Sequence, residues 1–266
     1  MQKIGYLGPE GSYSHIAAEK FCADARLCAY RSFPLVMASL ISGETDAVVM
    51  PIENTLNGGV LQNLDLLQST ENVCAVAERV IGIDHRLAVL RGADKSKIKR
   101  IYSHSQALDQ CAKYLFEHFP AAELIPARST AASLEMIKTP EDAGVVGSHV
   151  KDDRLVLSKC NIADEDNNYT HFLLIRRGGI ENNARSRRIF FSLTCPNKSG
   201  ALLRLLQKLS DNGINMTKLQ SRPVKNAPDE YAFFIEIDGD YSRAEIKSAL
   251  DEVKAAANSF KLLGCY

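Results

Sequence analysis

Apolar positions along the chain follow two different rhythms. Over residues 188–194 they fall at every second place, with Ile189, Phe191 and Leu193 on one side, as in a half-buried strand. Residues 199–212 change to helical spacing, which gathers Leu202, Leu205, Leu206 and Leu209 on one face. Residues 214–224 read as a strand, and residues 231–237 alternate again through Tyr231, Phe233, Ile235 and Ile237. Residues 242–257 give a second amphipathic helix and residues 259–265 a last strand. The order β-α-β-β-α-β predicts a ferredoxin-like module over residues 187–266.

Upstream the rhythm is one of short apolar strands alternating with helices. Residues 4–7 form a strand, followed by a Gly/Ser loop and a helix from Ser14. Residues 47–50 form another strand that ends at a proline, and residues 87–89, 101–102 and 143–146 are strand-like as well. This alternation predicts α/β architecture with mostly parallel strands, whose ligands sit on loops at the carboxyl ends of the strands. The polar segment 178–186, with two glycines after the apolar run 172–175, reads as a linker and ends the first domain at residue 178.

Four loops in the first domain have the right position for chemistry. Residues 8–14 (GPEGSYS) combine glycines with a helix start, where unpaired N–H groups face an anion; an ordinary turn with a serine cap uses the same residues. Residues 51–60 (PIENTLNGGV) put Glu53 and Asn54 just beyond an apolar strand, and an asparagine both donates and accepts; Asn57, Gly58 and Gly59 are also turn formers. Residues 103–111 (SHSQALDQC) offer Ser103, His104 and Gln110, with Gln110 seven residues after Ser103 and nearly on the same helix face. In that loop His104 reads as a cap or surface residue and Cys111 as a small buried hydrophobe. Residues 168–172 (NYTHF) place Thr170 and His171 side by side, with a strand threonine and an exposed histidine as the plainer alternative.

Composition narrows the field. A chain of 266 residues is long enough for two domains at roughly 100–200 residues each. Lys+Arg 32 balances Asp+Glu 32, so nucleic acid and anionic membrane are not expected as partners. Seven cysteines without a C-x-x-C pair fit a reducing compartment. No signal-peptide core and no apolar run of about 20 residues is present, so a cytoplasmic protein is expected. The six histidines have no i, i+3 or i, i+4 pairing, no phosphate or dinucleotide loop occurs, and no metal or cofactor is expected.

The segments GYLGPEGSYSHIAA, DAVVMPIENTLNGGV, SHSQALDQC, STAAS and NYTHF, in this order, resemble the motif series of prephenate dehydratases. SGALL, QSRP and the closing LLGCY resemble the ACT regulatory domain joined to those enzymes. The resemblance is close to the dehydratase and regulatory portions of the bacterial bifunctional chorismate mutase–prephenate dehydratases, and with the first strand at the start no mutase domain is expected here. It implies a two-lobed, periplasmic-binding-protein-like catalytic domain with a cleft, plus a ferredoxin-like βαββαβ ACT domain. It implies cofactor-free conversion of prephenate to phenylpyruvate in L-phenylalanine biosynthesis. Thr170, Asn54, Ser103 and Gln110 are the implied catalytic residues, and Gly11, Ser12, Ser129, Thr130, His171 and Phe172 the substrate-binding ones. L-phenylalanine is the implied feedback effector, held by Gly200, Ala201, Leu202, Ser221, Arg222 and Pro223 in a homodimer or homotetramer.

Two departures bear on this. His171 stands where the family usually has Arg; if that position meets a substrate carboxylate, activity falls above about pH 7 as the imidazole loses its proton. Gln220 replaces the usual Glu, and Ser199 precedes Gly200 where many ACT domains have Pro. An arogenate dehydratase, a decarboxylase that keeps the hydroxyl, and a non-catalytic amino-acid sensor remain alternatives. The neutral total also hides a split. Residues 1–184 hold 19 basic and 23 acidic residues, a net −4, and residues 185–266 hold 13 and 9, a net +4. A dianionic substrate must therefore be met by local donors in the cleft.

Overall fold

The structure is a computed structural model that describes residues 1–180, 186–224 and 230–266. The expected linker over 178–186 thus falls partly outside the described residues. The chain begins with β1 (Lys3–Leu7), α1 (Tyr13–Phe21), β2 (Arg26–Tyr30), α2 (Phe33–Ser42), β3 (Ala47–Asn54), β4 (Gly58–Gly59), α3 (Leu61–Ser69) and β5 (Val73–Gly82). It then crosses at residues 83–84 into a second lobe of β6 (His85–Leu90), β7 (Arg100–Ser103), α4 (Ser105–Asp109), α5 (Ala112–His118), β8 (Glu123–Pro126), β9 (Asp142–Gly147) and β10 (Leu155–Leu157). Residues 158–168 return it to the first lobe, where β11 (Tyr169–Arg177) lies between β5 and β3.

The first lobe mixes strand directions where the sequence reading expected mostly parallel ones. β1 is parallel to β2 and β3, but β11 is antiparallel to both β3 and β5. The reason is the path of the chain: β11 re-enters from the side at which β5 left. Strand β3 also continues past Pro51, which has no N–H to give a ladder. The β3–β11 register shifts between His171 and Phe172, opposite Pro51, so the proline sits at a bulge.

β11 is buried on both faces, which explains its unbroken apolar run. Phe172 and Leu174 pack with Ile4, Tyr6, Ala17 and Val49 on the α1 side. Leu173 and Ile175 pack on the other side with Met50, Leu64, Phe190 and Phe234. Phe172, Phe190, Phe191 and Phe234 are among the largest fully buried side chains, each worth about 1.5–3 kcal/mol of burial.

The C-terminal module is β12 (Arg188–Thr194), α6 (Ala201–Asp211), β13 (Met216–Pro223), β14 (Tyr231–Asp238), α7 (Ala244–Ala256) and β15 (Ser259–Cys265), within one or two residues of the expected elements. Its strands lie in the order β13-β14-β12-β15, and β15 meets β5 in parallel, so among the described residues one sheet runs through both modules. The contact is Gly264 on Ala75: a Cβ added at Gly264 would stand 2.5 Å from Ala75 Cβ and 2.8 Å from its carbonyl oxygen. Among the described residues no helix is long and apolar enough to cross a membrane.

Candidate active site

The two crossovers between the lobes lie side by side, and polar residues near them form one continuous set of hydrogen bonds. Asn54 ends β3 opposite Thr170 of β11. Its side-chain oxygen accepts from the backbone N–H groups of Leu56 and Asn57, both at 3.1 Å, and from Asn57 Nδ2 at 2.9 Å. Backbone N–H groups only donate, so the orientation of the Asn54 amide is fixed. Its Nδ2 then faces three acceptors: Asn168 Oδ1 at 2.7 Å, Thr170 Oγ1 at 3.0 Å and the Tyr169 carbonyl at 3.1 Å.

That orientation propagates. Asn168 must present its oxygen to Asn54, so its own Nδ2 donates to Gln110 Oε1 at 3.0 Å. Gln110 Oε1 is therefore an acceptor, and His85 Nε2, 2.8 Å away, must carry the proton. The imidazole is neutral, with Nδ1 bare, buried and without a partner among the described residues. Burial pushes the His85 pKa down, against the Gln110 bond, in keeping with a neutral ring. At the other end the Thr170 oxygen receives a proton from Asn54 and its own hydroxyl proton goes to no described residue. A nearly buried hydroxyl is thus held as a donor.

The remaining expected residues are placed more variously. Ser103 is fully buried at the end of β7, where its hydroxyl donates to the Val145 carbonyl at 2.7 Å; it is not part of the set above. Ser12 caps α1 by accepting from the His15 N–H and donates to the Leu7 carbonyl, so its hydroxyl is committed to the loop. Gly11 adopts φ 77°, which glycine takes without strain, and its carbonyl accepts from His149 Nε2 of the second lobe at 2.8 Å. Tyr13 also ties the lobes, donating to the Asp84 carbonyl at 2.5 Å and accepting from its N–H at 3.0 Å. Ser129 accepts from the Ala132 N–H, and the Thr130 carbonyl accepts from Ser133 Oγ. His104 caps α4 and Cys111 is buried, its thiol pushed up to about 12 by desolvation, which suits a hydrophobe and not a nucleophile.

Two expected residues lie apart from the hydrogen-bonded set. Phe172, at 2% exposure, packs in the core on the α1 side. His171 follows Thr170 on a strand and so points to the opposite face. There its Nδ1 is 2.7 Å from Glu78 Oε1, and Glu53 and Lys218 lie close enough to act on it. The Glu78 hydrogen bond raises its pKa against the desolvation that would lower it. Its partner among the described residues is thus a carboxylate of its own chain.

Against this geometry the comparisons with known proteins fall into place. The family model for prephenate dehydratase matches residues 4–179, and that for the ACT domain matches residues 189–255. The chain belongs to the prephenate dehydratase family. Prephenate dehydratase of Bacillus subtilis (strain 168) is 31% identical over 279 residues, covering 99% of this chain and 98% of its own. The bifunctional chorismate mutase/prephenate dehydratase of Neisseria gonorrhoeae (strain ATCC 700825 / FA 1090) is 35% identical, over 99% of this chain and 74% of the relative. Among solved structures, prephenate dehydratase from Arthrobacter aurescens in complex with L-Phe superposes with a TM-score of 0.88 at 27% identity, over 99% of this chain and 89% of that one.

Within the family's ACT region, the expected effector residues lie on two elements. Gly200, with φ 75°, opens α6, followed by buried Ala201 and half-buried Leu202. Ser221 and Pro223 are exposed on β13, the outermost strand of the sheet. Arg222 faces the other way and forks onto Asp65 of α3 at 3.1 and 2.9 Å, so its guanidinium is engaged within the chain. Lys218 meets Glu53 at 2.9 Å, and Lys261 donates to the carbonyls of Leu67, Gln68 and Thr70 at the end of α3. Sequence reasoning missed these contacts, along with Asn168 and His85. Asn168 was signalled only by its place beside Thr170, and His85 by nothing beyond opening β6 after the crossover.

Proposed function

We propose that this chain catalyses the decarboxylating dehydration of prephenate to phenylpyruvate in L-phenylalanine biosynthesis and is inhibited by L-phenylalanine through its ACT domain. The observation that carries the reading is the fixed polarity of the Asn54–Thr170 pair, which leaves the Thr170 hydroxyl proton to donate. In the reaction the bond to the ring carboxylate breaks and carbon dioxide departs. The electron pair moves through the ring, which becomes aromatic as the C4–O bond breaks. The departing hydroxide needs a proton or a strong hydrogen bond as it leaves, and Thr170 supplies it. A threonine hydroxyl is a weak acid, so it works within a network that positions it and not by free proton release.

Gln110 takes part through its other end. With Oε1 held by His85 and Asn168, its NH2 group donates to no described residue and is available to a substrate oxygen. The loops of Gly11–Ser12 and Ser129–Thr130 are the further proposed donors for the two carboxylates, through backbone N–H groups at Gly11–Ser12 because the Ser12 hydroxyl is committed. Ser103 supports the floor of the second lobe. The exposed edge strand β13, with Leu219 at 43% exposure, supports pairing with a second copy in a homodimer or homotetramer. A cytoplasmic location follows from the biosynthetic role.

The test is direct. Purified protein is incubated with prephenate and with arogenate, phenylpyruvate and phenylalanine are measured, and the assay is repeated with Thr170→Ala and with added L-phenylalanine. Prephenate turnover that collapses in Thr170→Ala is expected. No product from either substrate sinks the enzyme reading, and unchanged activity in Thr170→Ala sinks the role of the hydroxyl.

A further inference from the structure

We propose that His85 is a positioning residue for this reaction: its Nε2–H pins the Gln110 carbonyl and thereby turns the Gln110 amide NH2 toward substrate. The inference rests on the dehydratase reading of the same site. His85 is the first residue of β6, immediately after the crossing between lobes, and is 2% exposed. Its backbone is held by the returning segment, with its N–H donating to Asn161 Oδ1 and its carbonyl accepting from the Ile162 N–H, both at 2.9 Å. The ring is thus fixed with respect to both crossovers, and only one of its nitrogens has a partner among the described residues.

That asymmetry is informative. A buried acceptor without a partner costs about 1–3 kcal/mol. The other tautomer would not relieve it: Nδ1–H would then be a buried donor without a partner among the described residues, and a bare Nε2 would face the Gln110 oxygen. An apolar side chain of similar size would avoid the penalty if filling space were the whole requirement. What an apolar residue cannot do is hold Gln110 Oε1. Asn168 is the only other donor to that oxygen among the described residues. With one donor in place of two, the Gln110 amide is free to turn about its last bond and present oxygen where the substrate needs a donor. The polarity that starts at the backbone N–H groups of Leu56 and Asn57 therefore ends at His85, and Thr170 and Gln110 are its two outlets to the cleft.

The experiment compares the full-length protein with His85→Leu, His85→Gln, Gln110→Ala and the His85→Leu/Gln110→Ala double variant on prephenate. His85→Leu is expected to lose about 10²-fold in kcat/KM, the scale of a misplaced binding group. The double variant should be no worse than Gln110→Ala alone, because both remove the same donor. His85→Gln, whose amide can also donate, should recover part of the loss. Additive losses in the double variant, or His85→Leu within about twofold of the wild type, would overturn the proposal. A wild type inactive on prephenate would instead remove the reading beneath it. Should His85→Leu fail to fold, 15N NMR of the wild type still decides: a neutral ring protonated at Nε2 is expected, and a ring protonated at Nδ1 overturns the proposal.

Discussion

The polarity of the site can be reversed by exchanging one atom. In Asn54→Asp the oxygen that accepts from Leu56, Asn57 and the Asn57 side chain stays, so the turn after β3 keeps its three hydrogen bonds. The change falls on the other side, where an oxygen replaces the Nδ2 that faces Asn168, Tyr169 and Thr170. The Tyr169 carbonyl cannot turn. Asn168 can turn only by withdrawing its donor from Gln110 Oε1. Thr170 alone can satisfy the new carboxylate without loss elsewhere, by rotating its proton onto that oxygen and away from the cleft.

The loss is then that of a proton donor in the transition state, a factor of about 10²–10⁴ in rate, or about 3–5 kcal/mol at about 1.36 kcal/mol per decade. The readout is the initial rate of phenylpyruvate formation across pH, with Thr170→Ala as the floor and circular dichroism as the control for folding. One further mark separates this cause from general damage. The three N–H bonds kept on its other oxygen favour the ionised carboxylate, and the group donates again only once it is protonated at low pH. The variant should therefore recover relative to wild type as pH falls. Activity within about threefold of wild type above about pH 7, where a carboxyl is ionised, would refute the reasoning. So would a pH profile parallel to that of wild type.

Three further outcomes are expected. Gly264→Ala should destabilise the protein by about 1–3 kcal/mol, lowering Tm by several degrees, because the new methyl meets Ala75 backbone that cannot yield; an unchanged Tm would mean that the two modules do not meet there. His171 has a raised folded pKa, so its bond to Glu78 stabilises fully below the unfolded value near about 6.5 and is lost as pH rises through the folded one. Glu78→Gln should therefore reduce stability to denaturant more at about pH 6 than at about pH 9, and an equal loss at both would count against the pair. Glu53→Gln should destabilise by about 1–3 kcal/mol, since the Lys218 side chain is 8% exposed and would lose its carboxylate; adding Lys218→Met should return most of that, and additive losses in the double variant would deny the coupling.

The fold was legible wherever one period held over a whole element. The C-terminal module has half-buried strands and a helix with a narrow apolar face, and both leave a clean rhythm. β2, with the pattern exposed, half-buried, half-buried, exposed, half-buried, leaves none, and β8 has no buried residue at all. Strand direction in the first lobe was not legible either, because it depends on where the chain re-enters after its long excursion through the second lobe. In the site, Thr170 and Asn54 became candidates because each sits in a loop motif at a strand end, and the resemblance supplied their roles. His171 turns away from Thr170 for a local reason: adjacent residues on a strand look away from each other, and a resemblance that names both does not say which way each points. His85 and Lys218 were missed because their partners lie in distant parts of the chain, 25 and 165 residues away.

That alternation also decides how the regulatory module can reach the chemistry. Thr170 pairs with Asn54 on one face of β11 and β3, and the next pair along the ladder, His171 with Glu53, faces the ACT domain. Glu53 is held there by Lys218 of β13, and His171 by Glu78 of β5, the strand that β15 joins. On the same side Arg222 holds Asp65 and Lys261 holds the end of α3, the helix that follows the Asn54 turn. An effector inhibits only by binding one arrangement better than another. Any arrangement that moves β13 must move Lys218 and Arg222 together, since they lie on one face of one strand. The displacement then arrives at Glu53 and at α3, on both sides of the turn whose backbone N–H groups set the orientation of Asn54.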